Sequence, residues 1–294
     1  MDVSKRSTVD RSEIRYRSLL EHLGAARSHD LSDLELERIG ATIAMIPSDV
    51  TTLLDVGCGD GRIIERVPPR FKAVGVDYSC CSVRSLKDKG VCASSEHLPF
   101  SDRSFDLVLC CEVLEHLPDE MYRRSLDELK RISRKYLLIS VPYKENLKLG
   151  RTRCRQCGTI FHIWGHVRRF TNRVLAKLFE DFEVASTRYV GKRPPYHLRI
   201  VLHFSQRYGN RWADWATTSM CPHCGNTHFR RTPRNLVTIV CGLMNLLTSR
   251  IILVSHRNWV LQLYSRRGSR ERTPSGTSLL RPGRSVSGGR RWAQ

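Results

Sequence analysis

Acidic residues are scarce in the second half of this 294-residue chain. Residues 151–294 hold 5 Asp and Glu against 26 Lys and Arg, whereas residues 1–150 hold 24 against 23. The net charge of +20 is therefore carried entirely after the midpoint. Lysine is scarce there as well, with Lys177 and Lys192 its sole representatives. Such one-sided charge suits an anionic partner, whether nucleic acid, a phosphorylated substrate or a membrane surface; a solvated arginine-rich face is the plain alternative. The opening MDVSKRSTVDRSEIRYR lacks an apolar stretch, so no secretory signal is expected. A clean membrane span is missing too. The longest apolar run, LVTIVCGLMNLLTSRIILV at 236–254, is interrupted by Asn245 and Arg250. Arginine inside lipid is costly, so a packed helix is expected there, and contact with a membrane would be peripheral. No internal repeat is present apart from two Cys-x-x-Cys-Gly stretches.

Cysteine is plentiful, at eleven residues. The number is odd, and several lie in apolar runs such as LVLCCEVL, where a thiol behaves as a small hydrophobe. With no export signal beside them, free thiols in a reducing cytoplasm are expected and not a disulfide framework.

Residues 11–46 have helical spacing, with Ser32 or Asp33 placed to cap the second part. From residue 51 the pattern alternates. TTLLDVG, FKAVGVD, GVCAS, FDLVLCCEV and YLLISVP are strand-like, and helix-compatible stretches lie between several of them, notably at 79–89 and 119–134. That order predicts an α/β fold, a parallel sheet covered by helices on both faces. A helix capped by Thr171 is expected over 171–181, followed by strands FEVASTRYVG and HLRIVLHFS around a KRPPY turn. A helix over 236–248 and a strand at WVLQLYS come next, then a Gly, Ser, Pro and Arg tail expected to be disordered. The expected division is a helical segment 1–48, an α/β domain 49–205 with an insertion over about 143–168, an extension 206–264, and a basic tail 265–294.

The most informative stretch is LLDVGCGDGR at 53–62. A strand ends in Asp55, and Gly57 and Gly59 let the backbone turn tightly and approach a ligand. Some 20 residues on, VGVDYS ends a second strand with Asp77, placed to accept hydrogen bonds from ribose hydroxyls. A dinucleotide site would need G-x-G-x-x-G facing a pyrophosphate, and Asp55 and Asp60 would repel one. Acids at this turn suit a ligand with an amino group and a sulfonium, which favours S-adenosylmethionine over NAD.

LLDVGCGDGR, VGVDYS, SSEHLPFSDRSFDLVLCCEVLEHL and YLLISVP together resemble the class I S-adenosylmethionine-dependent methyltransferases, with the ubiquinone/menaquinone-type methyltransferases the nearest subgroup. The resemblance covers residues 45–205. It implies a Rossmann-like seven-stranded sheet whose last strand, here HLRIVLHFS, is antiparallel. By position it implies that Asp55, Gly57, Cys58 and Gly59 line the methionine part of the cofactor. Asp77 would hold the ribose and Tyr78 stack near adenine, with Ser95 and Glu96 at the adenine edge. Cys111 and His116 would close the pocket. The sequence departs from the pattern at Ser94, where many members carry an acid; serine accepts a weaker hydrogen bond. Glu112 and Glu115 are expected to complement a helix start.

The two Cys-x-x-Cys-Gly stretches, CRQCG at 154–158 and CPHCG at 221–225, have the form of zinc-ribbon knuckles. Cys154, Cys157, Cys221 and Cys224 would make a closed four-thiolate zinc site tying the insertion to the extension. His162, His166, His223 or His228 are alternative ligands, and a site without metal is the third reading. One difficulty is geometric. If HLRIVLHFS were the antiparallel strand, residues 206–220 would have to run back across the sheet to bring the pairs together.

GHVRRFTNRVLAKLF at 165–179 resembles a feature of many such methyltransferases, in which a histidine before a Phe-Thr helix start lies near the acceptor. His166 is thereby the first candidate for a general base, and His116 the second. The expected reaction is methyl transfer to a small, anionic acceptor such as a nucleotide-linked sugar, a lipid-linked intermediate or a natural product. An RNA methyltransferase is the competing enzyme reading: the basic half would grip phosphates, and Trp164, Trp212 and Trp215 would stack bases or simply pack. A non-catalytic binding module is the third reading.

Overall fold

The apolar runs of the first half form the centre of one sheet. A computed structural model describes residues 31–194, 197–209, 211–213, 219–229, 233, 235–252 and 256–268. Strand β1 spans Thr52–Val56, β2 Lys72–Asp77, β3 Gly90–Cys92, β4 Phe105–Cys111 and β5 Ser133–Pro142. All five run parallel. Leu53, Leu54, Leu107, Val108, Leu137 and Leu138 are fully buried, because strands covered on both faces have no polar side. Strands β6 (Arg151–Arg153) and β7 (Ile160–His162) form a separate ribbon. Strands β8 (Phe182–Val190) and β9 (Trp259–Arg266) complete the main sheet, of order β3-β2-β1-β4-β5-β9-β8. Strand β9 is antiparallel to both of its neighbours. The seven-stranded sheet with an antiparallel last strand is thus present.

Six α-helices surround or extend the sheet among the described residues: α1 (Asp33–Ala44), α2 (Cys80–Val83), α3 (Asp119–Ile132), α4 (Asn172–Leu175), α5 (Arg199–Arg207) and α6 (Leu236–Ile251). Ser32 caps α1 in a capping box: its hydroxyl accepts from the Glu35 amide, and the Glu35 carboxylate accepts from the Ser32 amide. One core joins α3 and the α4 region to Leu54, Val108 and Ile139. The other joins α1 and α2 to Leu53, Leu107 and Leu138, so successive strand residues feed opposite faces.

Several expectations are corrected. HLRIVLHFS is helix α5, not a strand. Its buried residues, Val201, Leu202 and Ser205, have helical spacing, while Ile200 and Phe204 of the apparent alternation are exposed. WVLQLYS supplies the antiparallel strand instead. The α/β unit therefore does not close at 205; residues from α5 to α6 are an insertion between β8 and β9. This removes the geometric difficulty, because β8 runs parallel to β5 and leaves the sheet at the same edge. Helix α4 is capped by Thr171 as expected but ends at Leu175. Glu112 and Glu115 lie in turns, and α3 begins only at Asp119. Cys80 and Cys92 form a disulfide, where free thiols were expected. Helix α6 covers the expected apolar run, yet it leaves most of its apolar residues exposed. No helix among the described residues is long and apolar enough to cross a membrane. The helical reading of 11–30 and the tail beyond 268 lie outside the described residues.

A carboxylate clasps the sheet at the edge away from its carboxyl ends. Asp106 Oδ2 accepts from the Thr51 amide (3.0 Å), the Thr51 hydroxyl (2.7 Å) and the Thr52 amide (3.2 Å), and Oδ1 meets Arg134 (3.1 Å). Burial alone would raise this carboxyl, but the hydrogen bonds outweigh it and hold it down at about 2. A group so depressed stabilises the fold above the ordinary carboxylate range and loses that contribution as pH falls toward about 2. Asp106→Asn is expected to cost about 2 kcal/mol in chemical unfolding at neutral pH. The difference from wild type should shrink in acid; a difference independent of pH would contradict the assignment.

Candidate active site

The expected cofactor residues meet where β1, β2 and β4 end. Gly57 and Gly59 occupy the left-handed region, at φ of 78° and 55°. A β-carbon on Gly57 would collide with Val113. The Gly57 and Cys58 amides both donate to the Val76 carbonyl, at 2.7 and 3.0 Å, which folds the turn back onto β2. Asp77 then fixes the turn from the other side: Oδ2 accepts from the Gly59 amide and Oδ1 from the Ser79 amide, each at 2.8 Å. A carboxylate has further lone pairs, so Asp77 keeps acceptor capacity while organising the loop.

Asp55 is buried at the end of β1. Burial first, and then the neighbouring Asp77, push its carboxyl up to about 7, against the pull of Arg38. Arg38 comes from α1 and has no motif to announce it. Burial opposes its charge, but Glu112, Cys111, Glu115 and Glu35 outweigh that and hold the charge firmly. Its Nε and Nη1 are buried without a hydrogen-bond partner among the described residues. Glu112 sits in the left-handed region at φ 57°, a costly conformation for a residue with a side chain. Its carboxylate accepts from Ser140 of β5 (3.0 Å) and from the Trp259 indole of β9 (2.7 Å).

The adenine-side residues divide. Tyr78 is well exposed beyond β2. The Ser95 hydroxyl is taken up by Ser125 of α3 at 2.8 Å, and Glu96 is buried near Arg124 (3.8 Å), with the Ser94 hydroxyl donating to it at 3.4 Å. Cys111 is buried at the end of β4, its thiol pushed well above the ordinary range by burial and by Asp55.

Three histidines gather here: His116 on the loop after β4, His162 at the end of β7 and His166 on the loop beyond it, with Glu145 coming from the loop after β5. The His116 ring meets His166 edge-on at 4.8 Å, and the His162 ring stacks on His166 at 4.8 Å. Trp164 lies 5.9 Å from the His166 ring. His166 Nδ1 is 2.6 Å from Glu145 Oε2, and His162 Nε2 is 3.6 Å from Glu145 Oε1. Glu145 falls in no motif, which is why it escapes a reading of the sequence. The Trp164 and His166 amides both point at His162 Nδ1, at 3.4 and 3.3 Å. Nδ1 is thus the acceptor, and the neutral ring carries its proton on Nε2, facing Glu145. Burial, aided by His166, lowers His162 to about 4 and keeps it neutral. With Nδ1 taken by two amides and a protonated Nε2 facing Glu145, His162 is a poor substitute ligand for the cysteines.

The four knuckle cysteines converge. Cys154 and Cys224 sulfurs are 3.5 Å apart, and Cys157 and Cys221 sulfurs 3.6 Å. The two knuckles repeat one pattern. The Gly158 amide donates to Cys154 O at 2.8 Å and the Gly225 amide to Cys221 O at 2.9 Å, with φ of 74° and 73° at the glycines. Phe161 and Phe229 pack beside them at 5.6 Å. All four sulfurs lie within 4.8 Å of one another.

Residues 54–137 match the family described as methyltransferase domain. That domain contains Asp55, the glycine turn, Asp77 and the β4 exit. The chain is 37% identical over 99 residues to an uncharacterised protein of Methanocaldococcus jannaschii, covering 32% of this chain and 42% of that protein. It is 31% identical over 130 residues to the ubiquinone biosynthesis O-methyltransferase of Pseudomonas savastanoi pv. phaseolicola, covering 38% and 55%. The chain thus spans about half the length of the curated relatives it matches. Among solved structures, it is similar in fold to a chain of the complex between the Haloferax volcanii Trm112 methyltransferase activator and a methyltransferase. There the TM-score is 0.51 at 15% identity, over 85% of this chain and 97% of that one.

Between roughly pH 4 and about 7 the folded chain keeps a proton on Asp55 that the unfolded chain has lost. Stability therefore falls as pH rises through that window, by on the order of 4 kcal/mol from this group. In Asp55→Asn that contribution is expected to vanish, so unfolding free energies of wild type and variant should diverge steadily across the window. Parallel curves would contradict a buried, proton-holding Asp55.

Proposed function

We propose that this chain is an S-adenosylmethionine-dependent methyltransferase acting on a small anionic acceptor. The observation that carries the reading is the pair of acids, Asp55 and Asp77, on the glycine turn of a segment matching the methyltransferase domain family. The charges also suit this cofactor, which bears an ammonium and a carboxylate as well as a sulfonium. Asp55 lies where a cation would relieve its ionisation. Arg38 offers buried donors that lack a partner, and a carboxylate would satisfy them. Asp77 suits the ribose hydroxyls, with Gly57, Cys58 and Gly59 leaving room for close approach; Tyr78, Ser95, Glu96 and Cys111 complete the expected surround.

When bound, the cofactor supplies an electrophilic methyl group for in-line transfer, a reaction that depends chiefly on positioning. His166 acts as general base for a hydroxyl acceptor. Its Nδ1–H donates to Glu145, which leaves Nε2 to take the proton, and the carboxylate stabilises the imidazolium that results. The His162 ring stacks on His166, with Nε2 facing the same carboxylate at 3.6 Å, beyond hydrogen-bond reach, while His116 braces the His166 ring edge-on. The excess of arginine after residue 150 favours an anionic acceptor, such as a nucleotide-linked sugar, a lipid-linked intermediate or a natural product. No specific observation favours the RNA reading.

The four thiolates form a structural zinc site in this reading. Zinc–sulfur bonds of about 2.3 Å put tetrahedral sulfurs about 3.8 Å apart, close to the spacing of the two cross-knuckle pairs.

In calorimetry, wild type is expected to bind S-adenosylmethionine, and Arg38→Ala and Asp77→Ala are each expected to weaken binding by roughly 10- to 100-fold. No binding by metal-loaded wild type would end the enzyme reading. His166→Ala should lower kcat by about 10²–10⁴ and leave cofactor affinity unchanged, with Glu145→Gln intermediate. Cys154→Ser should lose zinc in metal analysis while retaining cofactor binding; full zinc stoichiometry in that variant would refute the four-thiolate site.

A further inference from the structure

Helix α6 is built inside out. The residues it turns toward the protein are Thr238, Cys241 and Asn245, while the row Ile239, Leu243, Leu247 and Ile251, four residues apart, is 52, 57, 62 and 80% exposed. A surface helix in water ordinarily does the reverse. Its polar face is used: the Thr238 hydroxyl bonds the Gly209 carbonyl, and the capping Asn235 donates to Tyr208 O at 2.8 Å. These contacts fix α6 against the end of α5, which packs beside it. Helix α5 and its C-cap carry an exposed apolar row of their own, Ile200, Phe204 and Tyr208, again four apart, the last two rings stacked at 5.6 Å. One residue round the same helix, Arg199, His203 and Arg207 form an exposed basic row. Arg250 adds a cation near the end of α6, also exposed. Exposed apolar rows on two helices packed side by side mark an interaction site and not an ordinary surface.

We propose that the α5–α6 face inserts into the headgroup region of an anionic lipid bilayer. Charge selects this occupant. From residue 192 to 267 the sequence has 12 Lys and Arg and one acid, Asp214. A second copy docking the same face by two-fold symmetry would bring the basic row a matching surplus of arginine and almost no acid to pair with. Anionic headgroups neutralise that row while acyl chains receive the leucine and isoleucine row, the arrangement of an interfacial helix. Length agrees. The 16 residues of α6 extend about 24 Å, short of the roughly 30 Å of a hydrocarbon core, so the helix lies along the surface and does not cross. The inference does not depend on methyl transfer and stands or falls separately.

The test is co-sedimentation of the full, metal-loaded chain with phosphatidylcholine vesicles, with and without phosphatidylglycerol. The chain is expected to pellet with the anionic vesicles and far less with the neutral ones, and added salt should weaken the preference. Leu243→Glu combined with Leu247→Glu, both at exposed positions, should lower partitioning at least tenfold with the circular dichroism spectrum unchanged. Arg199→Glu with Arg207→Glu should abolish the preference for anionic lipid, at roughly fivefold or more per arginine. Wild type remaining in the supernatant with both vesicle types would overturn the proposal. So would a solution dimer that ignores vesicles and that the leucine variant dissociates, which would assign the face to a second copy.

Discussion

Too many acids in too dry a place is the constraint that organises this molecule. Asp55, Asp77, Glu112 and Glu115 all lie at or near the ends of β1, β2 and β4; Asp55 and Glu115 are buried, and burial penalises the charge of Asp55. Each solution that the structure displays comes from elsewhere in the chain. Asp77 is solved locally by two backbone amides. Glu112 needs Ser140 from β5 and Trp259 from β9. Asp55 keeps a proton, and Arg38 of α1 brings the one guanidinium whose charge these acids reinforce. The first described helix and the last described strand are thus both recruited by a single electrostatic problem at the centre.

What was legible in the sequence follows from the range over which the signal acts. The glycine turn and the strand-end acids declare themselves because residue type and backbone geometry coincide within a few positions, as at Gly57 and Asp77. The cysteine knuckles do so for the same reason, although 63 residues separate them (158–220). Arg38 and Glu145 were invisible, since each acts on a partner far away and neither stands in a pattern. HLRIVLHFS misled because nine residues are too few to separate a period of two from one of 3.6. The Cys80–Cys92 pair was hidden among eleven cysteines whose count argued for free thiols. The Ser95 hydroxyl meets Ser125 of α3, a contact that its place in the motif does not announce.

The two knuckles and the β6–β7 ribbon form a small cap with very little apolar matter of its own among the described residues. Its cluster consists of Cys154, Phe161 and Cys221, with Cys157 and Phe229 against it. A core that small does not hold two chain segments together unaided, which is the situation in which small modules rely on a metal. The insertion between β8 and β9 is tied to the segment after β5 by the Gln206 amide on Lys148 O (2.6 Å) and the Ala213 amide on Arg151 O (2.8 Å). Whatever the α5–α6 face docks against is therefore mechanically connected to the loops that carry Glu145 and His166.

Strand β9 has one more consequence, and it concerns time. It is paired along its length with β5 on one side and β8 on the other, yet it is synthesised after everything else in the sheet. As the chain emerges from the ribosome, β1 to β5 can assemble progressively, but β5 and β8 must wait with open edges until residue 266 is available. During that interval both cysteine pairs and the apolar helix α6 are already out. Early formation of the cap would hold β8 near its final place and shorten the loop that β9 has left to close. Nascent chains halted before β9 are accordingly the species most exposed to edge-to-edge aggregation.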